Sequence, residues 1–212
     1  MTTNTQRPRR PTRRSRRTRE DKRRANRDLI LQAARKVFGQ RGFHAATIEQ
    51  IADQAGLSNG AIYYNFESKA DLFFALMKER QDERIRHLRE APRGPTDEDR
   101  AADLQAEARD ATRTLKESPE WRLLLFEFAA HAARHPRLAK QLREHKRVFR
   151  SALTEALRDR LDRQGLASTN EAERLALIAT ALTNGLAFEE IADPGSVPDD
   201  LLGDLLGLLL PS

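Results

Sequence analysis

Between Ser58 and Lys69 the chain reads SNGAIYYNFESK, a stretch dense in groups that can meet a phosphate or a base edge. Ser58, Asn59 and Asn65 carry short hydrogen-bonding side chains, Lys69 an ammonium, and Tyr63 and Tyr64 a hydroxyl at the end of a flat ring. Gly60 has no side chain, so another molecule can approach its backbone closely. Thr47, shortly before, adds a hydroxyl. Hydroxyls, amides and cations of this kind hold phosphate oxygens, and tyrosine rings lie against thymine methyls or sugars. Taken one at a time, each has a plainer reading. Gly60 could merely weaken a helix, one tyrosine could be half-buried packing, and Asn59 could be solvated. Their order within about 25 residues is the informative feature.

A second constellation lies further on. Glu127, His131 and His135 repeat at i, i+4 and i+8 and so share one helix face. Two histidines four apart can ligate a metal, but HAARH lacks the glutamate of a zinc-protease helix, and His135 sits at a helix end that favours a cation anyway. The expectation is a polar wall of a mostly apolar pocket, with no metal and no cofactor. Leu76, Trp121, Phe126, Phe128, Phe149 and Phe188 are candidate apolar lining, each also readable as ordinary core, and Asn184 is a further polar candidate.

The third feature is charge. Residues 1–24 hold ten Arg and Lys22 against Glu20 and Asp21, a sum of 11 − 2 = +9, while the whole chain carries +6, leaving 6 − 9 = −3 for the rest. The basic character belongs to a tail on a mildly acidic body. RRPTRRSRRTR has no apolar residue and is expected to be disordered on its own. It is either a solvated extension or, as guanidinium chemistry favours, a nucleic-acid contact.

Elements must position these groups. Helical periodicity runs through the chain without convincing strand alternation. A first helix over about 22–40 buries Ile30, Ala33, Ala34, Val37 and Phe38, and Gly42 ends it. Thr47 caps a short helix with Gln50 completing a capping box. Gly56 turns the chain, and Ser58 caps another short helix that breaks at Asn65–Ser68. Ser68, with Asp71 three residues on, opens a helix to about 90. After Pro92–Pro95 come helices over about 96–116, 119–134, 136–164, 171–192 and 198–209, nine in all. The expected fold is all-α, with an N-terminal tri-helical helix-turn-helix module and a larger helical bundle. In such a module a short recognition helix suffices, because it inserts in a groove only about 12 Å wide and is held by packing from behind.

Residues 25–72, ending in TIEQIADQAGLSNGAIYYNFESKADL, resemble the DNA-binding domain of the tetracycline-repressor (TetR) family of bacterial transcriptional regulators. The resemblance implies a homodimer on a pseudo-palindromic double-stranded DNA operator, and a C-terminal domain whose small effector alters DNA affinity. It implies phosphate contacts from Thr47, Tyr63, Asn65 and Lys69, with Ser58, Asn59, Gly60 and Tyr64 nearest the bases. Two positions depart from the pattern: Ala61 stands where threonine is common, and Asn65 where histidine or tyrosine is usual.

In the remainder the resemblance covers layout more than residues. LALIATALTNGLAF, 175–188, is apolar on nearly every face, which one core stripe does not require. It is either a fully buried helix of a monomer or, with the leucine-rich 198–209, a dimer interface. The chain is thus divided into a disordered arm at 1–21, a DNA-binding domain at 22–67, and a ligand-binding and dimerisation domain at 68–212. No cysteine, nucleophile elbow, phosphate loop or paired-carboxylate metal motif points to catalysis. No apolar run approaches the roughly 18–20 residues of a membrane span, and a cytoplasmic location is expected. A non-specific architectural nucleic-acid binder and a helical-bundle enzyme fused to a DNA-binding domain are the competing readings.

Overall fold

The computed structural model describes residues 13–90, 118–163 and 169–209, with five further helical positions between 106 and 116. Within the described residues lie eight α-helices and no strand: α1 (Arg13–Ala45), α2 (Ile48–Ala55), α3 (Asn59–Asn65), α4 (Lys69–Glu90), α5 (Pro119–Ala133), α6 (Pro136–Arg163), α7 (Thr169–Ala192) and α8 (Leu201–Leu209). The helix expected over 96–116 falls mostly outside the described residues.

The caps are those the side chains dictate. Thr47 Oγ1 accepts from Gln50 N at 3.3 Å and Gln50 Oε1 accepts from Thr47 N at 3.2 Å, closing the capping box. Gly56, left-handed at φ 66°, ends α2. Ser58 Oγ accepts from Ala61 N to start α3, and Ser68 Oγ from Asp71 N to start α4.

Two differences from the sequence reading concern α1. It begins at Arg13, so part of the arm expected to be disordered is helical; Pro11 is the last breaker, and arginine is a good helix former. At the other end Gly42 kinks the helix at φ 75°, ψ 173°, and the chain resumes helical turns to Ala45.

One core cluster joins α1, α2, α3, α4 and α5. Phe38, Ile51, Ile62, Leu72, Phe73, Leu76 and Phe128 are all essentially inaccessible. Phe43 meets Phe128 edge-on at 4.9 Å, and Phe73 meets Phe38 and Phe128 at 5.5 and 4.5 Å. The expected boundary at 67/68 is therefore not a boundary in the packing. Burial of shared aromatics ties the first three helices to the body.

At the far side α6 and α7 pack along one another around Leu157, Leu161, Ala172 and Ala176. Helix α7 leaves Leu177, Ile178 and Phe188 exposed. By length and composition Asn170–Ala192 could cross a membrane, with a mean hydropathy of 1.3, whereas the sequence reading found no such run. The residues explain the result: Ala176, Ala179, Thr180, Thr183 and Gly185 among the larger apolar side chains make a helix suited to a close-packed protein partner as well.

Candidate DNA interface and its junction with the body

Helix α3 stands outward because its inward side is small. Ile62 alone of its residues is fully buried, and Phe66 at its C-cap is nearly so, under the guanidinium of Arg27 at 4.5 Å from the ring centroid. A seven-residue helix is marginal alone; these two anchors fasten it to the core. The opposite side presents Ser58, Asn59 and Gly60, all exposed, with Tyr63 and Tyr64 at 55% and 74% exposure. Two large phenols are thus held in water side by side on this short helix.

Gly60 is informative by what surrounds it. A methyl group there would meet only Ser58 Oγ at 3.7 Å, an ordinary contact. The protein's own packing does not require glycine here.

Arg23 lies with its guanidinium 5.9 Å from the centroid of Tyr64. The N-terminal half of α1 thus passes beside α3 and brings Arg23, near the end of the arginine-rich segment, next to Tyr64. Neither Arg23 nor Arg27 was singled out in the sequence. Their four-residue spacing on α1 was visible, but their contact with Tyr64 and Phe66 is tertiary.

Asn65 and Lys69 are engaged within the protein. Asn65 Nδ2 donates to Ala61 O at 2.8 Å, using a carbonyl in the last turn of α3, while its Oδ1 is buried with no hydrogen-bond partner. Lys69 Nζ donates to Ala46 O at 2.8 Å and His44 O at 3.1 Å, and sits 4.8 Å from the Phe43 ring centroid. That leaves one of its three N–H groups for an outside acceptor. Burial lowers the Lys69 pKa, against an opposing pull from Glu127. Thr47 is exposed, and its hydroxyl also meets the Glu49 carboxylate, whose pKa is lowered by a backbone hydrogen bond and then by that contact.

The triplet expected to wall a pocket lies elsewhere. Glu127 reaches from α5 to the kink of α1: Oε2 accepts from Phe43 N at 2.9 Å and Oε1 from His44 N at 2.8 Å. The kink frees those two N–H groups from helical bonding, and the carboxylate satisfies both. A Cβ on Gly42 would stand 2.7 Å from Glu127 Oε2, so glycine is needed for the approach as well as for its positive φ. His131 packs on Phe43 at 5.3 Å, His44 at 4.8 Å and His135 at 4.3 Å between ring centroids. Burial, then the charges of His135, His44, Lys69 and Arg134, hold its pKa below the ordinary histidine value. This face joins the body to the first three helices and lines neither of the two described hollows. Among the described residues no group of three acidic, His or Cys side chains could hold a metal.

The other pocket candidates are dispersed. Leu76 and Phe128 are core. Trp121 packs on Phe73 at 5.7 Å and beneath Arg80 at 4.7 Å, and Phe149 lies beneath Arg84 at 4.6 Å. Phe126 pairs with the exposed Phe188 at 6.1 Å, and Asn184 is half-buried on α7. The two described hollows are lined by none of them. Between Trp121 and Phe149 stands a cluster that sequence reasoning missed: Arg80, Arg84 and the buried Arg122, whose pKa burial and the two neighbouring guanidiniums push down to about 10.

Comparison with known proteins agrees with this architecture. The family described as bacterial regulatory proteins, tetR family, matches residues 30–76, and the BetI-type transcriptional repressor C-terminal family matches residues 100–207, half of the chain. The HTH-type transcriptional activator FasR of Mycolicibacterium smegmatis is 32% identical over 156 residues, 74% of this chain and 66% of that one. The HTH-type transcriptional regulator UidR of Escherichia coli K12 is 25% identical over 88% of this chain and 94% of its own. Salmonella enterica GusR superimposes with a TM-score of 0.69 at 26% identity, over 88% and 95% of the two chains. FadR of Bacillus subtilis, solved in complex with stearoyl-CoA, does so with a TM-score of 0.65 at 19% identity, over 85% and 96%, and shows the shared fold.

Proposed function

The chain belongs to the TetR family of bacterial regulatory proteins, and from that premise we propose that it is a repressor released from its operator by a small apolar or amphipathic effector. It is a ligand-responsive DNA-binding transcriptional regulator, of the family to which its HTH-type activator and regulator relatives are similar. Repression is favoured because the longer of the two family matches is to a BetI-type transcriptional repressor C-terminal domain. The observation that carries the DNA reading is the outward side of α3, with Tyr63 and Tyr64 exposed and Ile62 and Phe66 anchoring the helix behind them.

In this reading α3 enters the major groove. Ser58, Asn59, Gly60 and Tyr64 lie nearest the bases, and Thr47, Tyr63 and the remaining N–H of Lys69 hold phosphates. Asn65 serves by fixing the last turn of α3 through Ala61 O. The arginine-rich segment 1–21 follows the backbone or the adjacent minor groove, next to Arg23. Two copies joined through α7 and α8 read the half-sites of a pseudo-palindrome, covering the exposed Ile178. The protein works in the cytoplasm, at the nucleoid when bound.

The effector site is proposed in the 68–164 region, at Trp121 and Phe149 with Phe126, Asn184 and Phe188 towards α7. FadR's stearoyl-CoA is one amphipathic ligand that this fold holds. Coupling requires the effector to favour one arrangement of body and head over the other. Two links exist for it: α4, whose first residue is Lys69, and the grip of Glu127 on the α1 kink. The test is a binding titration with duplexes from the promoter regions flanking the gene. Tight binding to one of them by a dimer supports the reading. Equal affinity for scrambled duplexes would favour the architectural alternative, driven by the arginine arm.

A further inference from the structure

Two rows of side chains on α6 face α7 across a hollow of about 560 Å³, at the end of the body away from the DNA head. On α6 the rows are Arg147–Ser151–Glu155 and Arg150–Thr154–Arg158, each at i, i+4, i+8. On α7 the facing residues are Asn170, Glu173, Arg174 and Leu177. Four guanidiniums against two carboxylates leave 4 − 2 = +2 in one concavity. Hydroxyls of Ser151 and Thr154 and the Asn170 amide add neutral hydrogen-bonding groups. Asn170 also lies in the first turn of the 24-residue α7, where the helix dipole favours an anion. The Nε of Arg158 is buried with no hydrogen-bond partner. That N–H is closed to the hollow, so Arg158 meets a ligand there through its terminal guanidinium nitrogens.

Duplex DNA is not that acceptor. Arg137 near the start of α6 pairs with Glu67 and Asp71 beside the DNA head, and Arg158 lies 158 − 137 = 21 residues further along the same helix, about 32 Å at 1.5 Å per residue. The hollow is also much larger than one phosphate ion and reaches an exposed leucine. We propose that it binds an organic phosphate of nucleotide size, its phosphates held by Arg150, Arg158 and Arg174 and its less polar part resting towards Leu177. The proposal rests on the regulator reading only in treating this ligand as an effector; binding itself is independent of DNA.

The experiment is calorimetric titration of the full chain with ADP, pyrophosphate and adenosine, for the wild type and for Arg158→Gln and Arg174→Gln. ADP binds the wild type, pyrophosphate binds more weakly, and adenosine does not bind. Each substitution weakens ADP binding about tenfold, the loss of one charge-assisted contact, while the thermal melt and dimer mass stay unchanged. Arg150→Gln, at an exposed position, gives the same weakening should either of the others fail to fold. No ADP binding at millimolar concentration overturns the proposal. So does equal ADP binding by wild type and variants, which places the phosphates on the arginine arm, or a loss of dimer in the variants, which makes the hollow a subunit surface. Operator binding without ADP is measured in parallel: a protein that takes up ADP at this site yet binds no operator would leave the site standing and remove the regulator reading.

Discussion

Glu127 grips His44 across the junction between body and reading head, its Oε1 accepting from the His44 backbone N–H at 2.8 Å while Oε2 takes the N–H of Phe43. Hydrogen bonds to a charged partner contribute about 1.5–3 kcal/mol each. Glu127→Ala is therefore expected to lower stability by about 2–4 kcal/mol and to raise amide exchange at Phe43 and His44 more than elsewhere. Exchange rates at those two amides equal to the wild type would show that the carboxylate carries no such role.

Gly42 should be intolerant for two separable reasons. The backbone at φ 75°, ψ 173° is open essentially to glycine alone and costs another residue about 1–3 kcal/mol, and the added Cβ would collide with Glu127 Oε2. Gly42→Ala is expected to destabilise by more than that strain alone. In the Glu127→Ala background the same substitution should cost less, since the collision is gone. Strictly additive losses in urea melts would contradict the shared contact.

Gly60 makes the opposite prediction. Alanine fits there within the protein, and glycine is the poorer helix former by about 0.5–1 kcal/mol. Gly60→Ala should leave the melting temperature level or slightly raised and yet weaken DNA binding, because the methyl group obstructs close approach. Undiminished DNA binding would return Gly60 to a residue without a role in recognition.

The reading head was legible in the sequence because local chemistry sets its geometry. Thr47 with Gln50, Gly56, Ser58 and Ser68 with Asp71 are caps and turns whose partners lie within a few residues, and each forms as the residues foretell. The body was less legible. Glu127, His131 and His135 do share a face, but which neighbour that face meets depends on packing between residues more than 80 positions apart. The Arg80, Arg84 and Arg122 cluster was hidden for the same reason. Periodicity marks a charged face and does not reveal when another helix covers it.

His145 provides a pH dependence. Burial, opposed by Asp82 and reinforced by Lys146 and Lys78, lowers its pKa to about 4, below the ordinary histidine value of 6.5. A depressed histidine pKa means that the fold prefers the neutral ring. The associated stability is complete above about pH 6.5 and is lost as pH falls towards 4. His145→Gln should flatten the wild-type decline between those pH values, as read from urea midpoints. Parallel pH profiles would exclude His145 as its source.

The central claim is sequence-specific recognition by α3, and the most direct test is the affinity ratio between operator and scrambled duplex at physiological salt, for wild type and Tyr64→Ala. Tyr64 is exposed, so its removal leaves folding intact. The account predicts a ratio of about 10³ or more for the wild type and a collapse of that ratio in the variant, with scrambled-duplex affinity little changed. A wild-type ratio near one, or a ratio untouched by loss of Tyr64, would contradict it.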